Sequence, residues 1–262
     1  MRVQPGSNGF SLLEFVAAMA VFIVISGAVF GMIGVAQKRY QSEQQVLDSL
    51  GNARIGMSQI ELEIHNAGFP PPNTFANLPA DPSTLYSTTP LPTVVREFAF
   101  AFRGFSGSPA TYNQNCVINS TCTTPSGNTL SMEEDLDPYN TACPQQVEII
   151  DYQLTADGNG TTSTLYRRVS SKDPVASATN CLPDTAASSY VPFIENIINA
   201  YQSPAVPVFS YVCNDGTTSC APQNISQVKI TLMVRASNPD LQTNQVQALT
   251  LQTIVDRISP YY

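Results

Sequence analysis

No charged side chain interrupts the chain from Phe15 to Ala36, and the apolar positions there follow no period that would leave a polar face. These 22 residues make a helix of roughly 33 Å at ~1.5 Å per residue, enough to cross a bilayer. After Lys38 and Arg39 the pattern changes. Val46, Leu50, Ala53, Met57, Ile60, Ile64 and Ala67 recur at alternating spacings of four and three, one apolar stripe on a helix suited to packing on a sheet. Gln, Glu, Arg, Ser and Asn fill much of the other face. One continuous helix is therefore expected from Phe10 to about Ala67, about 87 Å long, with a membrane half at 10–37 and an amphipathic half at 38–67. Gly68 followed by Phe69-Pro70-Pro71-Pro72 ends it, because proline lacks the N–H and clashes with the preceding turn.

Beyond the helix the period changes to two. Residues 70–92, rich in Pro, Ser, Thr and Asn, read as an irregular loop. Strands are expected at Val94–Arg103, Gln146–Leu154, Thr162–Val169, Val206–Cys213, Val228–Arg235 and Val246–Val255. The second and third are joined by Thr155-Ala156-Asp157-Gly158-Asn159-Gly160-Thr161, a hairpin signal. Ile194–Ala200 fits a short helix or a strand. The fold class is α+β: an antiparallel sheet in a head of residues 68–262, laid on the amphipathic half of the long helix.

The start of the chain carries the most specific chemistry. Glu14 stands directly before the apolar run, where a carboxylate is costly, and an ionisable group at that depth is a functional residue by default. The six residues Gly9-Phe10-Ser11-Leu12-Leu13-Glu14, leading into a spanning segment, resemble the leader and first helix of type IV pilins and type II secretion pseudopilins. The resemblance implies a leader at Met1–Gly9, cut after Gly9 by a membrane aspartic prepilin peptidase, and N-methylation of the new first residue, Phe10. It also implies that Glu14 neutralises the terminal amine of a neighbouring subunit during filament assembly. Two charges desolvated together in an apolar core attract strongly, and each is costly alone. A cleaved secretory signal or a plain membrane anchor explains the apolar length but not Gly9-Phe10 with Glu14.

Further into the chain, Ala67-Gly68-Phe69, Leu165-Tyr166-Arg167-Arg168-Val169 and the late strand ending at Arg235 are similar to the large PilW-type minor pilins. The resemblance implies a structural, non-enzymatic subunit that helps to initiate or cap a pilus, with the major pilin and other minor pilins as partners. Its expected location is the inner membrane before assembly and an extracellular pilus or periplasmic pseudopilus afterwards. Two alternatives stay open: a J-type minor pseudopilin of type II secretion, and a membrane-anchored adhesin or sensor that never polymerises.

Composition narrows the chemistry. Cys116, Cys122, Cys143, Cys181, Cys213 and Cys220 all follow the apolar segment, an even count that points to disulfides in an oxidising compartment. Pairing 116 with 122 and 213 with 220 closes short loops and leaves 143 for 181, one of fifteen connectivities. No Cys-x-x-Cys occurs, and the single histidine, His65, lies on the helix, so neither a zinc site nor a His-based hydrolytic triad is expected. A net charge of −8 disfavours direct nucleic-acid binding, which needs basic residues against phosphate. No cofactor is expected, although two acidic stretches offer oxygen donors for calcium. These are the acidic loop Glu133-Glu134-Asp135-Leu136-Asp137, with Glu133, Asp135 and Asp137 as the ligand candidates, and the turn Asp157-Gly158-Asn159-Gly160. Neither has the ligand spacing of a closed calcium loop.

Overall fold

The computed structural model describes residues 11–68, 100–108, 111–136, 147–171, 189–236, 239 and 245–257. One helix, α1 (Leu12–Asn66), runs unbroken for 55 residues, about 82 Å. Ser11 caps it: its Oγ accepts from Leu13 N, and Ser11 N donates to Glu14 Oε2 at 3.0 Å, which makes a reciprocal capping box. At the far end Gly68 adopts φ +84° and donates its N–H to Glu133 O at 2.8 Å, handing the chain from helix to sheet. A Cβ there would be strained by that backbone angle and would sit 3.2 Å from Ala101 N.

The strands follow in order: β1 (Phe105–Ser106), β2 (Thr111–Tyr112), β3 (Thr129–Glu134), β4 (Glu148–Ala156), β5 (Ser163–Ser171), β6 (Val191–Ile197), β7 (Phe209–Cys213), β8 (Ile225–Arg235) and β9 (Ala248–Asp256). The first two form a small ribbon. Seven of the described strands make one antiparallel sheet ordered β3-β4-β5-β6-β8-β7, with β9 on the other edge of β8. β6 meets β8 at the pair Ile197–Val234, and β7 takes the rest of that edge. Asn199, fully buried, fills the junction: its Nδ2 donates to Thr231 O at 2.8 Å and its Oδ1 accepts from Met233 N at 2.8 Å.

Alternation along the strands decides what the helix covers. Leu130 and Met132 of β3, Ile150 and Tyr152 of β4, Leu165 of β5, Ile194 of β6 and Ile230 and Leu232 of β8 form one core with Ala53, Met57, Ile60, Ile64 and Ala67 of the helical segment. Those last five belong to the stripe expected from the sequence. Val46 and Leu50, earlier in it, are half-buried. The fold is thus α+β, with one face of an antiparallel sheet packed on the second half of a long helix.

Most expected strands are present with ends shifted by a few residues, and β4 and β5 form the expected hairpin through nine register pairs. Ile194–Ala200 resolves into the end of β6 and a short 3₁₀ turn at Asn199–Tyr201. One expectation falls mostly outside the described residues, and another is corrected. Of the 94–103 segment only 100–103 are described, and they are irregular, although Arg103 N donates to Ser131 O and Glu133 N donates to Phe100 O along the edge of β3. The acidic stretch expected as a loop begins inside β3, whose Glu133 and Glu134 are both buried.

Candidate functional site

Among the described residues, nothing covers the first half of α1. None of its most apolar window is buried in the molecule, and Leu12, Phe22, Val24, Phe30 and Met32 are each at least 70% exposed. By length and composition this helix is able to cross a membrane. Gly9 and Phe10 lie outside the described residues. Glu14 lies in the first exposed turn, and its carboxylate takes part in the capping box.

The second half of α1 has two unlike sides. Opposite the sheet, Tyr40, Leu47, Ile55 and Leu62 are 55–72% exposed. At ~100° per residue they fall within about 80° of one another, a second apolar stripe that the described part of the head leaves bare. On the sheet side, the apolar core is broken by one acid. Glu63 is 2% exposed and accepts from Arg167 Nη2 at 2.6 Å, Arg167 Nε at 3.1 Å, Tyr152 Oη at 2.5 Å and Gln59 Nε2 at 2.7 Å. Arg167 and Tyr152 are register partners on β5 and β4, so one sheet face presents both donors to the helix. Burial, followed by the adjacent Glu63 carboxylate, pushes the Tyr152 hydroxyl above the usual phenol range, so it stays a donor. Arg167 also lines an open groove of about 730 Å³ between helix residues such as Asn52 and Gln59 and strand residues Phe193 and Ile194.

The same face holds two more carboxyls. Glu134 and Glu148 are cross-strand partners, 2% and 6% exposed. Glu148 Oε2 accepts from Leu136 N at 2.9 Å. Among the described residues, Glu134 has no hydrogen-bond partner on either oxygen. Burial pushes its carboxyl up to about 8; Glu63 adds to the rise, Arg167 opposes it, and Glu148 and Asp135 contribute less. The opposite face carries a separate set. Arg103 pairs with Glu133 at 3.0 Å, and Asp151 accepts from Ser131 Oγ at 2.6 Å and from Arg168 Nη2 at 2.5 Å. Arg168 in turn stacks over Tyr190 at 4.5 Å.

Two of the candidate disulfides are formed, Cys116–Cys122 and Cys213–Cys220. Their short loops lie against each other, with Ile118 N donating to Cys220 O and Asn119 Nδ2 to Thr218 O, both at 2.8 Å. Cys143 and Cys181 lie outside the described residues, as does Asp137. Of the other calcium candidates, Glu133 faces Arg103, and Asp135, two residues on, is buried. Asp157 accepts from the hydroxyls of Thr162 at 2.6 Å and Thr164 at 2.8 Å, which is what a hairpin turn asks of it. Among the described residues no three His, Cys, Asp or Glu side chains converge as a metal-holding group.

The sequence pointed to Gly9, Phe10, Glu14 and the cysteines. It did not single out Glu63 or Tyr152, nor Arg167 as a partner of the helix, and it took Glu134 only as one member of the acidic stretch 133–137. A partial signal existed: Glu63 follows Ile60 by three and precedes Ile64 by one, on the rim of the apolar stripe. Adjacent arginines in a strand must also face opposite sides. No family model matches the chain, and no curated protein or solved structure is significantly similar to it.

Proposed function

We propose that this chain is a structural subunit of a type IV pilus, a large minor pilin of the PilW type. It is made with a leader ending at Gly9 and helps to start or cap the filament. The observation that carries this reading is the run Gly9 to Glu14 opening directly into one unbroken helix, bare and apolar in its first half and fused to a sheet head in its second. A simple anchor has no need of helical continuity between membrane and head. The bare stripe of Tyr40, Leu47, Ile55 and Leu62 also suits a helix that packs among other helices. Before assembly the apolar half sits in the inner membrane. Prepilin peptidase frees Phe10, and Glu14 then meets the amine of a neighbour as the helix leaves lipid. The head has no catalytic role in this scheme.

The capping box gives Glu14 a purely local job as a competing explanation, and the two are separable. Glutamine also serves at the third helical position of a capping box. Glu14→Gln therefore keeps the cap and removes the charge. Loss of filaments in Glu14→Gln, with normal membrane levels of the subunit, supports the charge pairing. Normal filaments in that variant refute it. Mass spectrometry of sheared surface filaments should find the chain starting at N-methylated Phe10. A chain starting at Met1 in working filaments overturns the subunit reading. Recovery in a periplasmic pseudopilus would favour the J-type alternative, and a membrane-retained, unpolymerised protein would favour the adhesin or sensor.

A further inference from the structure

The helix-facing side of the sheet is overloaded with carboxyls. Glu63 descends from α1, Glu134 rises from β3 and Glu148 from β4, and Asp135 follows directly after β3. Among the described residues Arg167 of β5 also faces Glu134, while Tyr152 of β4 binds the same Glu63. The Arg167 guanidinium is spent on Glu63 through both Nη2 and Nε. Glu134 is left 2% exposed, directly opposite another acid, with neither oxygen accepting a hydrogen bond among the described residues. A bare carboxylate in that position would lack solvent, hydrogen bonds among the described residues and a counter-charge of its own, which disfavours the ionised form. A like-charged cross-strand neighbour adds to it.

We infer that Glu134 is a proton-binding site built into the seam between helix and head: its carboxyl is neutral in the folded chain, and its ionisation loosens the last turns of α1 from the sheet. Protonation removes the buried charge. The direction of the pH effect follows from the two states. In the unfolded chain the carboxyl titrates near 4.5, and in the folded chain near 8. Between those values the folded form holds a proton that the unfolded form has lost, so stability is complete below about 4.5 and falls as pH rises toward 8. The contribution of Glu134 to the seam is thus largest in acid and smallest in alkali. The inference concerns the head alone and holds whether or not the chain forms a filament.

The test uses the full chain in a maltoside detergent, with urea unfolding followed by circular dichroism from pH 5 to 9. Wild type should lose up to about tenfold per pH unit in its folding constant across this window beyond what Glu134→Gln loses, and the variant should be the more stable at pH 9. Identical slopes in the two chains overturn the inference. So does a wild-type stability at pH 8 that rises with added sodium or calcium and is insensitive to them in Glu134→Gln, since a bound cation would then neutralise the site. If the variant fails to fold, infrared spectroscopy of the wild-type chain decides. A buried protonated-carboxyl band at pH 7 that disappears by pH 10 supports the site, and its absence at pH 7 refutes it.

Discussion

Replacing Arg167 by methionine isolates the energy of the seam. Glu63 would keep the hydroxyl of Tyr152 and the amide of Gln59 but lose the cation that contacts it directly, while remaining 2% exposed. Removing one partner of a buried ion pair costs about 3–5 kcal/mol, because the other charge stays desolvated and unmatched. The two surviving donors, and an Arg167 side chain 22% exposed toward the groove, place the expectation at the lower end, about 3 kcal/mol. For a head of this size that lowers the melting temperature by about 6–12 °C. The assay is thermal and urea unfolding of the full chain in detergent at pH 7. A second arm adds Glu63→Gln, which removes the stranded charge and still accepts from Tyr152. The double variant should be more stable than Arg167→Met alone, because it no longer strands a buried charge. A loss below about 1 kcal/mol, or a double variant no better than the single one, would show that the pair does not hold helix and head together.

Four further outcomes follow from the structure. At Gly56 an added Cβ would lie 2.5 Å from Ile194 Cδ1 in the core, so Gly56→Ala should destabilise by about 1–3 kcal/mol. Gly51→Ala meets nothing within 4 Å and should stabilise by up to about 1 kcal/mol, both read by urea midpoints. Replacing Cys213 and Cys220 together by alanine should cost about 2 kcal/mol, as expected for so short a loop, and should also loosen the neighbouring 116–122 loop in hydrogen exchange. Leu47→Glu and Leu62→Glu, both on the bare stripe, should leave the melting of the monomeric chain within about 0.5 kcal/mol of wild type and abolish filament incorporation in shearing assays.

The parts legible in the sequence are those governed by local period. The helix, its sheet-facing stripe and the β4–β5 hairpin all follow from spacing, and two of the short cysteine loops close as sequence proximity favours. β3 was not legible because both its faces are covered. Leu130 to Glu134 are all buried, so the alternation that marks a half-buried strand is absent, and three consecutive acids imitate a loop. Two buried acids of this region rest on partners far away in the chain: Glu133 on Arg103, and Glu63 on Arg167, 104 residues from it. Neither helical nor strand periodicity contains such pairings. The irregular 100–103 segment has the same origin, since its backbone bonds to β3 are set by tertiary placement rather than by an alternating pattern.

The acid on the spine also solves a problem that apolar packing leaves open. Ala53, Met57, Ile60, Ile64 and Ala67 repeat so regularly that sliding α1 by two turns along the sheet would set Ile60 where Ala67 lies and Ala53 where Ile60 lies. Hydrophobic burial is non-directional and resists such a slip weakly. Glu63 resists it strongly. The slip carries the carboxylate away from Arg167 and Tyr152 and brings Gly56, which has no side-chain acceptor, to face those two donors. Gly56 adds a steric stop, because it is the absence of a Cβ there that admits Ile194. A chain carrying Glu63→Leu, Arg167→Met and Tyr152→Phe should therefore remain folded, since a packed apolar seam replaces the ion pair at little net cost. Its helix residues 53–66 should nevertheless exchange amide hydrogens faster than wild type at matched global stability. Equal exchange would mean that apolar shape alone fixes the register.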